Sequence, residues 1–109
     1  MDNQRPGTVS RPVARVNDIT VGICCAHSNP SCIPMSGLIA QGAPTVNAEG
    51  LPVARMNDTI IGACGHTGIV ASGAPTRLAE GLPVARVGDS HAGSFTGSVG
   101  GGSPTVLLD

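Results

Sequence analysis

The chain has 109 residues and a formal charge of −1, and it contains one Phe and no Tyr or Trp. With six Lys+Arg against seven Asp+Glu, it lacks the basic stripe and aromatic platform of a nucleic-acid binder. No apolar run approaches the ~20 residues of a membrane span. Because its Ala, Val and Ile side chains bury little area each, one domain over residues 1–109 is expected to need a staple such as a metal or a disulfide.

A four-residue motif recurs along the chain. Pro-Val-Ala-Arg occurs at residues 12–15, 52–55 and 83–86, and an aspartate follows each Arg by three residues. A second phrase, Gly-Ala/Ser-Pro-Thr, recurs in step at residues 42–45, 73–76 and 102–105. Internal repetition of this kind predicts that the chain is three copies of one small unit.

Short runs bearing Val, Ile and Thr between Gly and Pro predict an all-β fold with strands of about four to six residues. The equivalent alanines Ala14, Ala54 and Ala85 are expected at a crowded centre, and each aspartate is expected to bond the backbone amides of a turn. The motif arginines have two interpretations: they form a solvated face, or they brace these turns or bond carboxylates and carbonyls of a partner. The last segment has a lead-in strand with no motif after it, so we expect it to pair beside the first motif and close a three-membered ring.

Three variable segments, interpreted as loops, lie between the aspartates and the Gly-x-Pro-Thr phrases, at residues 19–41, 59–72 and 90–101. They contain every Cys and His of the chain. In a closed threefold arrangement all three segments would emerge at the same end.

Two of these segments share a Cys-x-His signature, Cys25-Ala26-His27 and Cys64-Gly65-His66, and the third contributes His91. Imidazole and thiolate donors suit a tetrahedral zinc, with iron as a second candidate. The predicted ligands are the three histidines plus a thiolate from Cys25 or Cys64. A disulfide from Cys32 to another thiol stays open as an alternative.

A catalytic role for this metal is disfavoured by the same segments. They contain no Glu to act as a general base, and short Gly-rich segments leave no room for a substrate cleft. The sequence therefore predicts a structural metal and no enzyme activity, with a small metallohydrolase as the least favoured class.

Taken together, the repeats and the His/Cys segments resemble the PAAR-repeat family, over about residues 12–108. The resemblance implies a small pseudo-threefold cone of short β-strands with a metal near its point. It implies a position on a trimeric β-helical spike in a type VI secretion system or a phage tail, where the tip sharpens the spike for piercing a target membrane. By position it assigns the metal to His27, Cys64, His66 and His91, with Cys25 competing for the thiolate role.

This resemblance carries expectations about partners and location. The trimeric spike protein is the main expected partner, and effector toxins are a further one. The N-terminal residues lack a secretory signal, so we expect a cytoplasmic protein that is later exported by the injection machine or built into a tail. With no residues outside the repeats for a toxin, a bare tip is expected; the alternative function is a zinc-binding adaptor that recruits effectors to a secretion apparatus.

Overall fold

Strands account for all the regular secondary structure in this computed structural model, which describes residues 10–27 and 32–108. Within those residues there is no helix, and so none that could cross a membrane. The all-β prediction is confirmed, whereas the prediction about a secretory signal concerns residues that lie outside the described ones. The strands are β1 (Arg11–Pro12), β2 (Ile19–Cys24), β3 (Ile33–Ile39), β4 (Asn47–Ala48), β5 (Leu51–Pro52), β6 (Thr59–Gly62), β7 (Thr67–Val70), β8 (Leu78–Ala79), β9 (Leu82–Pro83), β10 (Ser90–Gly93), β11 (Phe95–Val99) and β12 (Leu107–Leu108).

The three segments interpreted as loops are in fact β-hairpins. The pairs β2–β3, β6–β7 and β10–β11 join into a closed antiparallel barrel in the order β10-β11-β2-β3-β6-β7, and β7 pairs back with β10. Glycine makes this small barrel possible, because a Cβ at Gly22 would lie 2.0 Å from the carbonyl oxygen of Thr96 on the neighbouring strand. The interpretation as loops was therefore wrong: the density of glycine marks close strand packing here.

The other strands form three two-stranded sheets, which we call the base: β4–β5, β8–β9 and β12–β1. In the third sheet, Arg11 lies opposite Leu108 and Pro12 opposite Leu107, so the end of the chain pairs with the first motif. The predicted ring closure is confirmed. The base strands have two residues each, shorter than predicted, because each motif leaves its partner at the proline and turns inward to bridge the next motif.

The motif alanines form a hydrogen-bonded ring on the threefold axis. The amide of Ala14 donates to the carbonyl of Ala85, that of Ala54 to Ala14 and that of Ala85 to Ala54, each at 2.9 Å. All three side chains are fully buried. The crowded centre predicted for them is confirmed, and three similar units surround one axis.

A bracket of Arg and Asp fixes the turn after each motif. In the second repeat the backbone amide of Arg55 donates to Asp58 at 2.7 Å, and its guanidinium holds both carboxylate oxygens at 2.9 and 3.0 Å. The same bracket recurs between Arg15 and Asp18 and between Arg86 and Asp89. The arginines thus brace turns, which decides between the two interpretations of the sequence.

The largest buried side chain of the barrel core is that of Phe95. The chain has one Phe and no Tyr or Trp, and this Phe95 is fully buried. A Cβ at Gly37 would lie 2.5 Å from its ring. Ile39, Ile60 and Val70 pack in the same cluster. This core holds the hairpins together, so that their far ends meet at one end of the barrel, which we call the apex.

Candidate metal centre

Four side chains at the apex bring their donor atoms together. They come from the first two hairpins: Cys24 ends β2, His27 follows it, and Cys64 and His66 belong to the turn between β6 and β7. Their donor atoms all lie within 4.8 Å of one another. The Sγ atoms of Cys24 and Cys64 each lie 3.2 Å from Nδ1 of His66 and 3.4 Å from each other. We call these four residues the apical group.

Local backbone geometry places these side chains. Gly65 adopts a φ of 91°, which lets the β6–β7 turn reverse within a few residues and set Cys64 and His66 on either side of it. The amide of Gly62 donates to the carbonyl of His66 at 2.8 Å, which holds the turn closed. Cys24 pairs with Phe95 on one side and Ile33 on the other, so its position is fixed by the barrel ladder.

The apical group fits a metal ion in its donor chemistry and in a buried donor atom that has no other partner. Two thiolates and two imidazoles form a common donor set for structural zinc, and four protein ligands complete a tetrahedron with no open position. Nε2 of His27 is buried and has no hydrogen-bond partner among the described residues, which a bound cation would supply. Burial raises the pKa of the Cys24 thiol, so a cation is the natural source of the charge that would hold it as a thiolate.

The apical group contains three of the five predicted ligands: His27, Cys64 and His66. Their role as ligands stays a prediction. Cys25 requires a correction, because its sulfur forms a disulfide with Cys32 and the neighbouring Cys24 occupies the thiol position. Alternation along β2 explains the exchange, since Cys24 is fully buried on the inner face while Cys25 is exposed.

His91 lies outside the apical group. It is buried in the barrel, 1% exposed, where its Nδ1 donates to the carbonyl of Phe95 at 3.2 Å and its ring packs 4.7 Å from the Phe95 ring. Burial lowers the pKa of His91, and its Nε2 has no hydrogen-bond partner among the described residues. The structure therefore places His91 in the barrel core, and its role as a ligand stays a prediction.

The repeats contain a signal that would have identified these positions. Cys24 follows Asp18 by six residues, and Cys64 follows Asp58 by six, so the two cysteines are true equivalents. His91 follows its aspartate by only two residues, as Thr20 and Ile60 follow theirs, and both of those are fully buried in the barrel. Counting from the aspartates, instead of matching Cys-x-His, distinguishes the cysteine positions of the apical group from positions inside the barrel.

Comparison with known proteins agrees with the repeats and the fold. The family model described as the PAAR motif matches residues 8–65, just over half of the chain. A search of curated proteins finds no match. The family is one of structural and adaptor proteins and supports a role related to the spike tip of contractile injection systems. The matched segment, the triplicated motif and the closed β fold together show that the chain belongs to the PAAR motif family.

Proposed function

We propose that the chain is a non-enzymatic tip that caps a trimeric β-helical spike and sharpens it for piercing a membrane, in a type VI secretion system or a phage tail. The observation that supports this best is the alanine ring, because it arranges three similar units around one axis. A single chain with this pseudosymmetry can offer an equivalent contact to each subunit of a homotrimer.

The base has the surface that such a contact requires. A depression of about 420 Å³ lies there, lined by the motif valines Val13, Val53 and Val84 and by the lead-in strands. Beside it, Leu78 is 62% exposed and Leu107 is 53% exposed. Large aliphatic side chains this open to water favour burial against a partner, and the short base strands could be continued by strands of the spike.

The apical group would stabilise the opposite end. If Cys24, His27, Cys64 and His66 hold zinc, or iron as the second candidate, the ion joins the first hairpin to the second at the apex. Metal binding to a site that exists only in the folded chain adds to folding stability. The proposed location follows from the role: the cytoplasm before assembly, and afterwards export through the machine or a place in the tail.

The test is binding to a trimeric β-helical spike protein of such a machine. We expect one chain per spike trimer by light scattering after size-exclusion chromatography. Leu78→Asp should weaken binding at least tenfold, because it places a charge in the apolar contact. Thr67→Asp, at an exposed position on β7 away from the base, is the matched control and should bind as the unaltered chain does.

Two outcomes would contradict the proposal. One is binding that Leu78→Asp leaves unchanged. The other is equal affinity for a monomeric fragment of the spike, which is the behaviour expected of a general adaptor.

A further inference from the structure

The barrel and the segments that leave it carry no charged side chain. Residues 19–48, 59–76 and 90–108 contain no Asp, Glu, Lys or Arg. All the charged residues that the structure describes lie in the base or in the Arg–Asp brackets next to it. Ordinary protein surfaces mix both signs of charge, so a charge-free half of a molecule this small requires an explanation.

The outer face of this barrel is also apolar. Antiparallel sheets that face water usually turn polar side chains outward. Here six large aliphatic side chains point outward and are 42–49% exposed. Ile19, Leu38 and Ile61 lie side by side across three neighbouring strands. We call the six residues the aliphatic wall: Ile19, Val21, Ile23, Leu38, Ile61 and Ile69.

The aliphatic wall extends over four of the six barrel strands and leaves out the third hairpin. Its residues belong to β2, β3, β6 and β7. The third hairpin, β10–β11, instead turns small or hydroxylated side chains outward, among them Ser90, Ala92 and Thr96, which are exposed. The asymmetry breaks the threefold repetition seen at the base, so the wall has a role separate from contact with a trimer.

We propose that the aliphatic wall contacts the acyl chains of an uncharged lipid bilayer, so that the free protein binds to a membrane surface on that side. Two properties favour hydrocarbon as the partner. The barrel is closed, so its backbone presents no unpaired strand edge that would have to lose water. No charged side chain of the barrel would have to be dehydrated.

Protein partners are less favoured by the same observations. A protein interface has a polar rim around an apolar centre and does not require a charge-free half of the molecule. A stable dimer buries about 800 Å² per partner, roughly one seventh of the 5705 Å² surface of this chain. Six half-exposed aliphatic side chains offer less apolar area than that.

The absence of Trp and Tyr from the chain allows a direct test. A single Trp would be introduced by Leu38→Trp on β3 or by Ser90→Trp on β10, the strand opposite β3 in the barrel order. Ser90 is exposed, and its partner on β11 is Ser98, which is not part of the wall. Each variant would be mixed with vesicles of phosphatidylcholine carrying brominated acyl chains, which quench Trp on contact. We expect Leu38→Trp to lose more than half its emission and Ser90→Trp to lose little.

A second pair of variants tests the same surface without Trp. Ile19→Ser combined with Ile61→Ser should lower flotation with phosphatidylcholine vesicles at least tenfold. The matched control, Ala92→Ser combined with Thr96→Ser, should float as the unaltered chain does. Thermal melts by circular dichroism check folding, and the Trp measurement, which keeps an apolar side chain at position 38, stands if the Ser variant unfolds.

Three outcomes would overturn the proposal: no binding to vesicles, equal quenching at both Trp positions, or dimers in sedimentation that the Ile19→Ser/Ile61→Ser pair abolishes while vesicles are ignored. The last would assign the wall to a second copy of the chain. Since these tests use the chain without a spike, their failure leaves the spike-binding test of the proposed function unaffected.

Discussion

Cys24 and Cys25 are neighbours in sequence at the end of β2, yet their side chains lie on opposite sides of the chain: Cys24 is buried and Cys25 is exposed. Cys24 joins the apical group, and Cys25 forms the disulfide with Cys32. Two adjacent residues can serve both purposes because successive side chains of a strand alternate between its faces.

This separation gives a first prediction. Cys24→Ser should remove most of the bound metal and lower the melting temperature, because the site loses a thiolate. Cys25→Ser should lose the disulfide but keep the metal stoichiometry, measured by inductively coupled plasma mass spectrometry. His66→Ala should behave like Cys24→Ser, and full metal content in that variant would remove His66 from the site.

His91 gives a second prediction, on pH. Burial lowers its pKa, so the folded chain keeps it neutral where the unfolded chain begins to bind a proton, at about pH 6.5. The unfolded state then binds more protons, and the free energy of unfolding should fall as pH drops from about 6.5 toward the lowered pKa. Chemical denaturation of metal-free protein between about pH 7 and 5 measures this slope.

The control for this prediction is His91→Phe, which should flatten the dependence of the unfolding free energy on pH. An equal slope in His91→Phe would contradict the role given to His91.

Two carboxylates with lowered pKa values contribute to the stability of the fold at lower pH. Burial raises the pKa of Asp89, but the hydrogen bonds from Arg86 lower it by more. The pKa of Glu49 is lowered by hydrogen bonds from Ser103 and Thr105. Their contributions persist above the ordinary carboxyl pKa of about 4 and are lost below it.

At this scale the sequence predicted donor types better than donor positions. His27, Cys64 and His66 were singled out and do lie together. Cys25 is misassigned because matching Cys-x-His by residue type alone ignores which side of the chain each residue occupies, and its sulfur is in a disulfide. The ligand role of His91 stays a prediction, and the structure places this residue in the barrel core. The partner of Cys32 could not be predicted, since four cysteines allow three pairings whose choice depends on the fold.

Among the elements, the motif segments carry the most restrictive packing. The alanine ring leaves no space at its centre, because each Ala is fully buried and its backbone bonds two neighbours. Val13, Val53 and Val84 surround it on the base side. Any larger side chain on the axis would have to push the three motifs apart.

Ala54→Leu is therefore the third prediction. Overpacking of a tight core typically destabilises by about 1–3 kcal/mol, and we expect the upper end of that range or failure to fold because no neighbour can yield. Ala71→Leu, at an exposed position after β7, is the control and should be nearly neutral. Denaturant melts measure both, and normal stability of Ala54→Leu would show that the axis can expand.

At the element level, repetition predicted closure and the alanine centre, since both depend on which residues recur. It did not predict the barrel. Glycine-rich segments usually indicate loops, whereas Gly22, Gly37 and Gly97 here permit strands to approach at distances that any side chain would block. The outward aliphatic residues of β2 also hid its amphipathic pattern, because the usual rule assigns such residues to the interior.

For the whole molecule, the base and the apex are held by different interactions. The base depends on the alanine ring, the Arg–Asp brackets and ion pairs between repeats, such as Arg55 with Glu80 at 2.7 Å. The apex depends on the barrel core around Phe95 and on the apical group.

The fourth prediction follows from this division. Removing the metal with a chelator should lower the melting temperature of the chain but change its affinity for the trimeric spike less than threefold. Calorimetry and a binding titration on the same sample measure the two effects. Loss of spike binding in parallel with the metal would show that the base is not independent of the apex.

The ring of alanines also fixes how many copies of the motif a chain of this type can use. Each backbone amide on the axis is satisfied by the preceding copy and each carbonyl by the next, so two copies would leave one buried donor and one buried acceptor without partners. A fourth copy would open the triangle and admit water to its middle. Since no bond of the ring is first or last, the three units should form and melt as a single cooperative event, with no stable fragment along the way.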